Sequence, residues 1–251
     1  DPGEWDLDSQ DIIGTSGGVK QLIFYSAVNG DSNDSGLTDA TLTAAYNKAV
    51  TDNKATVINV SLGLDETAAN SDGSLAADDA VFKQAVAQGQ VFSVSAGDAG
   101  VYQWSTSPQG APGYIGTYNG TSVRTTINLS KYSVSSPASS PYVVAVGGTT
   151  LSTTGTTTWA GETVWNEGVA YADLDSNGNP VDNAVRIWAT GGGVSAFETA
   201  PSWQTAALGS TVTKRVVPDV AFDAAQSTGA YIVINGQTNQ LVGGTSLVLQ
   251  D

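Results

Sequence analysis

An alternation constrains this chain more than any other feature. Short apolar runs at residues 19–28 (VKQLIFYSAV), 56–62 (TVINVSL) and 91–95 (VFSVS) are separated by stretches with helical spacing. Leu42, Ala45, Tyr46 and Ala49 recur at intervals of three and four, so residues 38–51 are predicted as a helix with one apolar face. Residues 76–88 form a second predicted helix, closed by Gly89. The strand runs are apolar rather than strictly alternating, which is the pattern of a parallel sheet covered by helices. The fold class is therefore α/β. In such sheets the working residues sit just past the carboxyl ends of strands, and Asp98 lies at one such end.

The flanking segments are read the same way. Residues 1–14 are predicted as a helix with Pro2 near its start. Residues 103–140 turn to Ser, Thr, Tyr, Gly and Pro and read as a long surface loop, with a short strand at 124–128. Residues 142–147 (YVVAVG) return to core strand, 149–159 to a hairpin, and 165–188 to a loop-rich excursion. Strands at 231–234 and 240–242 flank Asn235-Gly236, a strong hairpin signal. They lead into Gly243-Gly244-Thr245-Ser246. Neither a repeat nor a linker interrupts the chain. Residues 1–251 are predicted as a single domain, long enough to bury a sizeable core.

Composition narrows the chemistry. Asp and Glu number 24 against 9 Lys and Arg, a net charge of −15. Nucleic acid needs a basic face and anionic membrane surfaces repel such a chain, so neither is an expected partner. No apolar run is long enough to span a bilayer. Few basic groups also mean little positive self-repulsion once carboxylates take up protons, so such a chain could stay folded in acid, although an ordinary acidic secreted protein has the same composition. The chain has no Cys, Met or His. Thiol nucleophiles, disulfides and thiolate metal sites are excluded, and so is a Ser-His-Asp triad within these residues. A serine nucleophile here would have to give its proton to Asp, Glu or Lys, or to a group outside the chain.

Three features then stand out, each with an ordinary alternative. Ser246 follows two glycines after a strand, where backbone and substrate can approach closely and a helix N-terminus would favour an oxyanion. A plain helix cap has the same sequence. Glu4 and Asp8 stand four apart, so on a helix they share a face with Cβ atoms roughly 6 Å apart. Their repulsion raises one pKa, which suits a carboxylate base. A solvated acidic face looks the same. Asp98, in Ser95-Ala96-Gly97-Asp98, can donate to an oxyanion only while protonated; the alternative is an acidic residue in a glycine turn. Asp173-Leu-Asp175-Ser-Asn177-Gly178 opens like a calcium loop, but Ala184 occupies the position where such a loop carries Glu, so a polar turn is the better reading.

These residues fall in blocks that resemble the sedolisin family, the serine-carboxyl peptidases. The blocks are GEWDLDSQ (3–10), VINVSLG (57–63), GQVFSVSAGDAGVY (89–102), SSPYVVAVGGTTL (139–151), ETVWNEG (162–168), WATGGGVSAFE (188–198), PDVAFDA (218–224) and GGTSL (243–247). The resemblance implies a subtilisin-like fold, with a mostly parallel sheet flanked by helices, and peptide-bond hydrolysis in acid. It implies Ser246 as nucleophile, Glu4 as general base, Asp8 as the residue orienting Glu4 and sharing its proton, and Asp98 as the oxyanion residue. It further implies a secreted, extracellular monomer that acts on protein or peptide substrates, made as a zymogen with an N-terminal prosegment, and one structural calcium. The family pattern after the nucleophile, Ser-x-x-x-Pro, reads here Ser246-Leu-Val-Leu-Gln250-Asp251. A domain truncated at both ends is therefore expected, with the calcium ligands beyond Asp251. Ala99 and Leu64 replace a Glu and a Trp common near the family's cleft, which bears on subsite preference. Two other readings compete: an inactive fragment, pseudoenzyme or binding module of the same fold, and an ordinary subtilase, which needs a His from elsewhere.

Overall fold

A computed structural model describes residues 2–27, 37–102, 115–125, 131–171, 179–180, 184–234 and 236–247. The first part of the chain runs through α1 (Pro2–Thr15), α2 (Asp39–Asp52), β1 (Val57–Val60), β2 (Leu64–Asp65), α3 (Glu66–Asp72), α4 (Ser74–Ala87) and β3 (Val91–Ser95). The middle holds β4 (Ile115–Tyr118), β5 (Thr121–Thr125), β6 (Ser135–Ser136), β7 (Val144–Thr154), β8 (Thr158–Val164), β9 (Asn166–Tyr171) and β10 (Ala184–Ala189). The last part holds β11 (Gly193–Thr199), α5 (Ser202–Leu208), β12 (Lys214–Val217), β13 (Val220–Asp223), β14 (Ala230–Ile234) and β15 (Gln237–Val242).

The central sheet has the order β1-β3-β7-β13, all parallel, with β8 folded back antiparallel on β7. Parallel neighbours need crossover connections, and between β1 and β3 these are α3 and α4. Side chains alternate across a strand, and β7 shows the consequence. Ala145 faces a cluster with Tyr46 and Val50 of α2, Phe82 and Ala85 of α4, and Phe92 and Val94 of β3. Val146 points the other way, toward Trp165, Ala224 and Ala225. On the helical side, the Phe82 and Phe92 ring centroids lie 4.7 Å apart. Thr38 caps α2 in a reciprocal box: its hydroxyl accepts from Thr41 N–H (3.2 Å), and its N–H donates to Thr41 Oγ1 (2.9 Å). A mostly parallel, helix-flanked sheet is thus what the alternation predicted.

Three segments differ from the sequence reading. Residues 21–26 form no strand. An apolar run becomes a strand only where a ladder partner exists, and this one packs instead on α1, with Phe24 edge-on to Trp5 at 4.8 Å. Residues 133–140 are buried rather than a surface loop. Val134 and Ala138 enter the core, and Ser136 pairs with Leu64. Two of its serines are satisfied by carboxylates: Ser133 donates to Asp65, and Ser140 to Asp79 at 2.5 Å. The loop-rich stretch at 165–188 contains paired strands, β9 and β10, in register from Val185↔Tyr171 to Trp188↔Gly168. The Asp173–Gly178 turn lies outside the described residues, as does most of the strand expected at 124–128.

Candidate active site

The site is assembled by α1, the ends of two sheet strands and the turn after a hairpin. Leu7 is the anchor of α1. It is 4% exposed and packs with Ile232 (2%) of β14 and Leu247 (5%), the residue after Ser246. One apolar cluster therefore fixes the helix carrying Glu4 and Asp8 against the segment carrying Ser246. Gln10 adds a clasp in both directions: its Nε2 donates to Val233 O (2.9 Å) and its Oε1 accepts from Val233 N–H (2.8 Å). The hairpin itself forms as predicted, with Ile234 opposite Gln237 and two residues left for the turn.

The Gly-Gly pair after β15 is sterically required. A side chain at Gly243 would run into Ala224 O at 2.5 Å and Gln226 N at 2.6 Å. Gly244 has φ +100°, and a Cβ there would meet Asp98 Oδ2 at 2.9 Å. The chain then turns tightly, Leu247 N–H donating to Gly244 O (3.2 Å), and presents a half-buried Ser246. Whether a helix follows falls outside the described residues.

Two strand ends meet this turn. Ser61, just past β1, donates to Asp8 Oδ1 (2.8 Å) and accepts from Asn59 Nδ2 (3.0 Å). Asp98, three residues past β3, is held by Thr245, whose N–H and hydroxyl both donate to Oδ1 at 2.8 Å. The Asp98 loop is tied down from the other side by backbone bonds with Ala189, which accepts from Gly100 N–H (3.0 Å) and donates to Asp98 O (3.1 Å).

Glu4 is the group most altered by this setting. Its carboxyl is raised above the usual range, chiefly by burial. A hydrogen bond with the Ser246 side chain pulls it down, and the charges of Asp8 and Asp98 push it up again. Spacing alone pointed to Asp8 as the cause of a raised pKa; burial is the larger cause, because Leu7 draws this face of α1 into the molecule. Oε1 of Glu4 is buried with no hydrogen-bond partner among the described residues, and the Ser246 side chain lies close enough to this carboxylate to influence its proton affinity.

The four residues singled out from sequence, Ser246, Glu4, Asp8 and Asp98, thus converge from α1, the β3 end and the post-hairpin turn. Sequence reasoning gave no role to Ser61 or Thr245. Both stand inside blocks that were noted, VINVSLG and GGTSL, but their partners lie 53 and 147 residues away. Ala99 is buried and bridges to Ala189, while Leu64 is half-buried in β2.

Comparison with known proteins gives this arrangement a lineage. The sequence pattern of the subtilase family, peptidase S8, matches residues 9–247. The chain belongs to the subtilase family. Within that family the sedolisin resemblance holds over almost the whole chain. Xanthomonalisin of Xanthomonas sp. (strain T-22) is 66% identical over 246 residues, covering 98% of this chain and 28% of its own length. Sedolisin of Pseudomonas sp. (strain 101) is 52% identical over 246 residues, covering 98% of this chain and 36% of its own length. Among solved structures, Pseudomonas sedolisin, a serine-carboxyl proteinase complexed with two molecules of pseudo-iodotyrostatin, matches at a TM-score of 0.74 and 50% identity. That match covers 98% of this chain and 57% of the solved one, and it makes the subtilisin-like α/β fold plain. The subtilase described here spans about a third of the length of the curated relatives it matches.

Proposed function

We propose that the complete protein is an acid-active serine-type endopeptidase with Ser246 as nucleophile and Glu4 as its base. The observation that carries this reading is the packing of Leu7 against Leu247, which brings Ser246 beside the buried Glu4 carboxylate, in a stretch of subtilase sequence whose 251 residues include no histidine. Glu4 removes the hydroxyl proton as Ser246 Oγ adds to the peptide carbonyl. Asp8, held by Ser61, orients Glu4 and shares its proton. Asp98, protonated, donates to the tetrahedral oxyanion. As the intermediate collapses, the C–N bond breaks and Glu4 returns its proton to the departing amine. Water, deprotonated by Glu4, then adds to the acyl-enzyme, and the Ser246 ester bond breaks with the proton going back to Oγ.

Secretion, activation by loss of an N-terminal prosegment, and a monomeric state come to the proposal from the family resemblance. Calcium does as well, but no group of three or more carboxylates that would hold a metal ion is found among the described residues. No step above runs through it. No helix among the described residues is long and apolar enough to cross a membrane.

The test is hydrolysis of a generic fluorogenic peptide by the complete, processed protein at about pH 4. Parent protein is expected to cleave it, and Ser246→Ala to lose about a thousandfold or more in kcat. An inactive parent favours the binding-module reading. A fully active Ser246→Ala rules out Ser246 as the nucleophile.

A further inference from the structure

The two oxygens of Asp98 are not equivalent. Oδ1 accepts from both the N–H and the hydroxyl of Thr245, each at 2.8 Å. Thr245 Oγ1 also accepts from Gly97 N–H (3.1 Å), so it is the O–H of this hydroxyl that still needs a partner. Thr245 is 1% exposed. Its hydroxyl proton therefore goes to a protein acceptor, and Asp98 Oδ1 is that acceptor. Oδ1 thus faces two donors, which disfavours a proton of its own. Oδ2 lies on the opposite edge of the carboxyl, over Gly244, where only the missing side chain of glycine leaves it room.

We propose that Thr245 is a positioning residue that confines the Asp98 proton to Oδ2. The inference rests on the reading of Asp98 as the oxyanion donor. An acid whose proton sits on either oxygen with equal ease presents its donor to the oxyanion only part of the time. The relay from Gly97 N–H through the Thr245 hydroxyl to Oδ1 removes that ambiguity before substrate arrives. It also gives the Thr before Ser246 a role distinct from that of a helix cap. Oxyanion donors act by being fixed in advance, so the effect belongs in kcat rather than in substrate affinity.

The test uses the complete, processed protein and steady-state cleavage of a fluorogenic peptide in acid. Thr245→Val keeps the shape and removes the hydroxyl; Thr245→Ser keeps the hydroxyl. Thr245→Val is expected to lower kcat by about tenfold with KM within about twofold, as loss of one buried hydrogen bond would. Thr245→Ser should remain within about threefold of the parent. Should Thr245→Val not fold, Thr245→Ala provides the same comparison. The decisive readout is coupling: in an Asp98→Ala background, removing the hydroxyl should change kcat by less than about twofold. Full activity of Thr245→Val, failure of Ser to rescue, or effects that multiply independently of Asp98 would each overturn the proposal. An Asp98→Ala variant as active as the parent would overturn the reading on which it rests.

Discussion

In the proposed mechanism Ser246 and Glu4 form a pair whose chemistry depends on burial. A solvent-exposed glutamate is too weak a base to activate a serine hydroxyl. Burial raises the Glu4 carboxyl, and the charges of Asp8 and Asp98 push the same way. Glu4→Gln leaves the shape and removes the base, so kcat should fall by roughly a thousandfold with KM little changed. Peptide-cleavage kinetics on the complete protein check it, and a loss confined to KM would assign Glu4 to binding instead. At this scale the sequence was informative for a chemical reason. With no His and no Cys in these residues, few residue types of this chain remained that accept a serine proton, and the i, i+4 acidic pair was one that helix spacing brings together. Its limit was distance along the chain. Thr245 and Ser61 bond to residues far away in sequence, and no local pattern announces such partners.

Among the elements, α1 matters most. It lies outside the central sheet and is attached by one apolar cluster and by the Gln10 clasp to β14. Its position decides whether Glu4 reaches Ser246. Leu7→Ala should cost about 2–4 kcal/mol of stability, and the vacated cluster should let α1 shift. The expected signature is a fall in kcat that exceeds what the loss of folded protein explains, measured by activity beside a thermal melt. A lower melting temperature with unchanged kcat would show that α1 is held by other contacts. The elements themselves were legible where periodicity was long. Helix α2 and strand β3 begin and end within a residue of their expected bounds. Residues 21–26 were misread because an apolar run does not reveal whether a neighbouring strand accepts its hydrogen bonds. Residues 133–140 were misread because serine-rich composition signals exposure, whereas Asp65 and Asp79 satisfy hydroxyls in the interior.

The whole molecule carries its acidity inward as well as on its surface. Burial, with Asp79 and Glu66 facing it and Lys214 opposing, pushes the Glu198 carboxyl up to about 7. Asp78 is pushed up to about 6 by burial, against a hydrogen bond from Thr43. Asp39 is pushed up to about 6 by its hydrogen bond with Asp72, then by burial. A carboxyl raised in the folded state holds its proton more tightly folded than unfolded. Its stabilising contribution is complete below the unfolded value of about 4 and is lost as pH rises through the folded value. The window is therefore about pH 4 to pH 7. The melting temperature of the complete protein should fall across that window. Glu198→Gln should lift it at about pH 7 and change it little at about pH 4. A melting temperature that climbs with pH would contradict this account of the acidic interior.

The proposed chemistry and the expected stability point to the same conditions, and the pH dependence of kcat tests their common basis. It is measured on the complete, processed protein from about pH 3 to about pH 8, with a fluorogenic peptide at saturation. An oxyanion donor that is a carboxylic acid works only while it carries its proton, so the account predicts a maximum in acid and negligible turnover at about pH 8. Full activity at about pH 8 would contradict it, because a base and an oxyanion donor of another kind would then be at work.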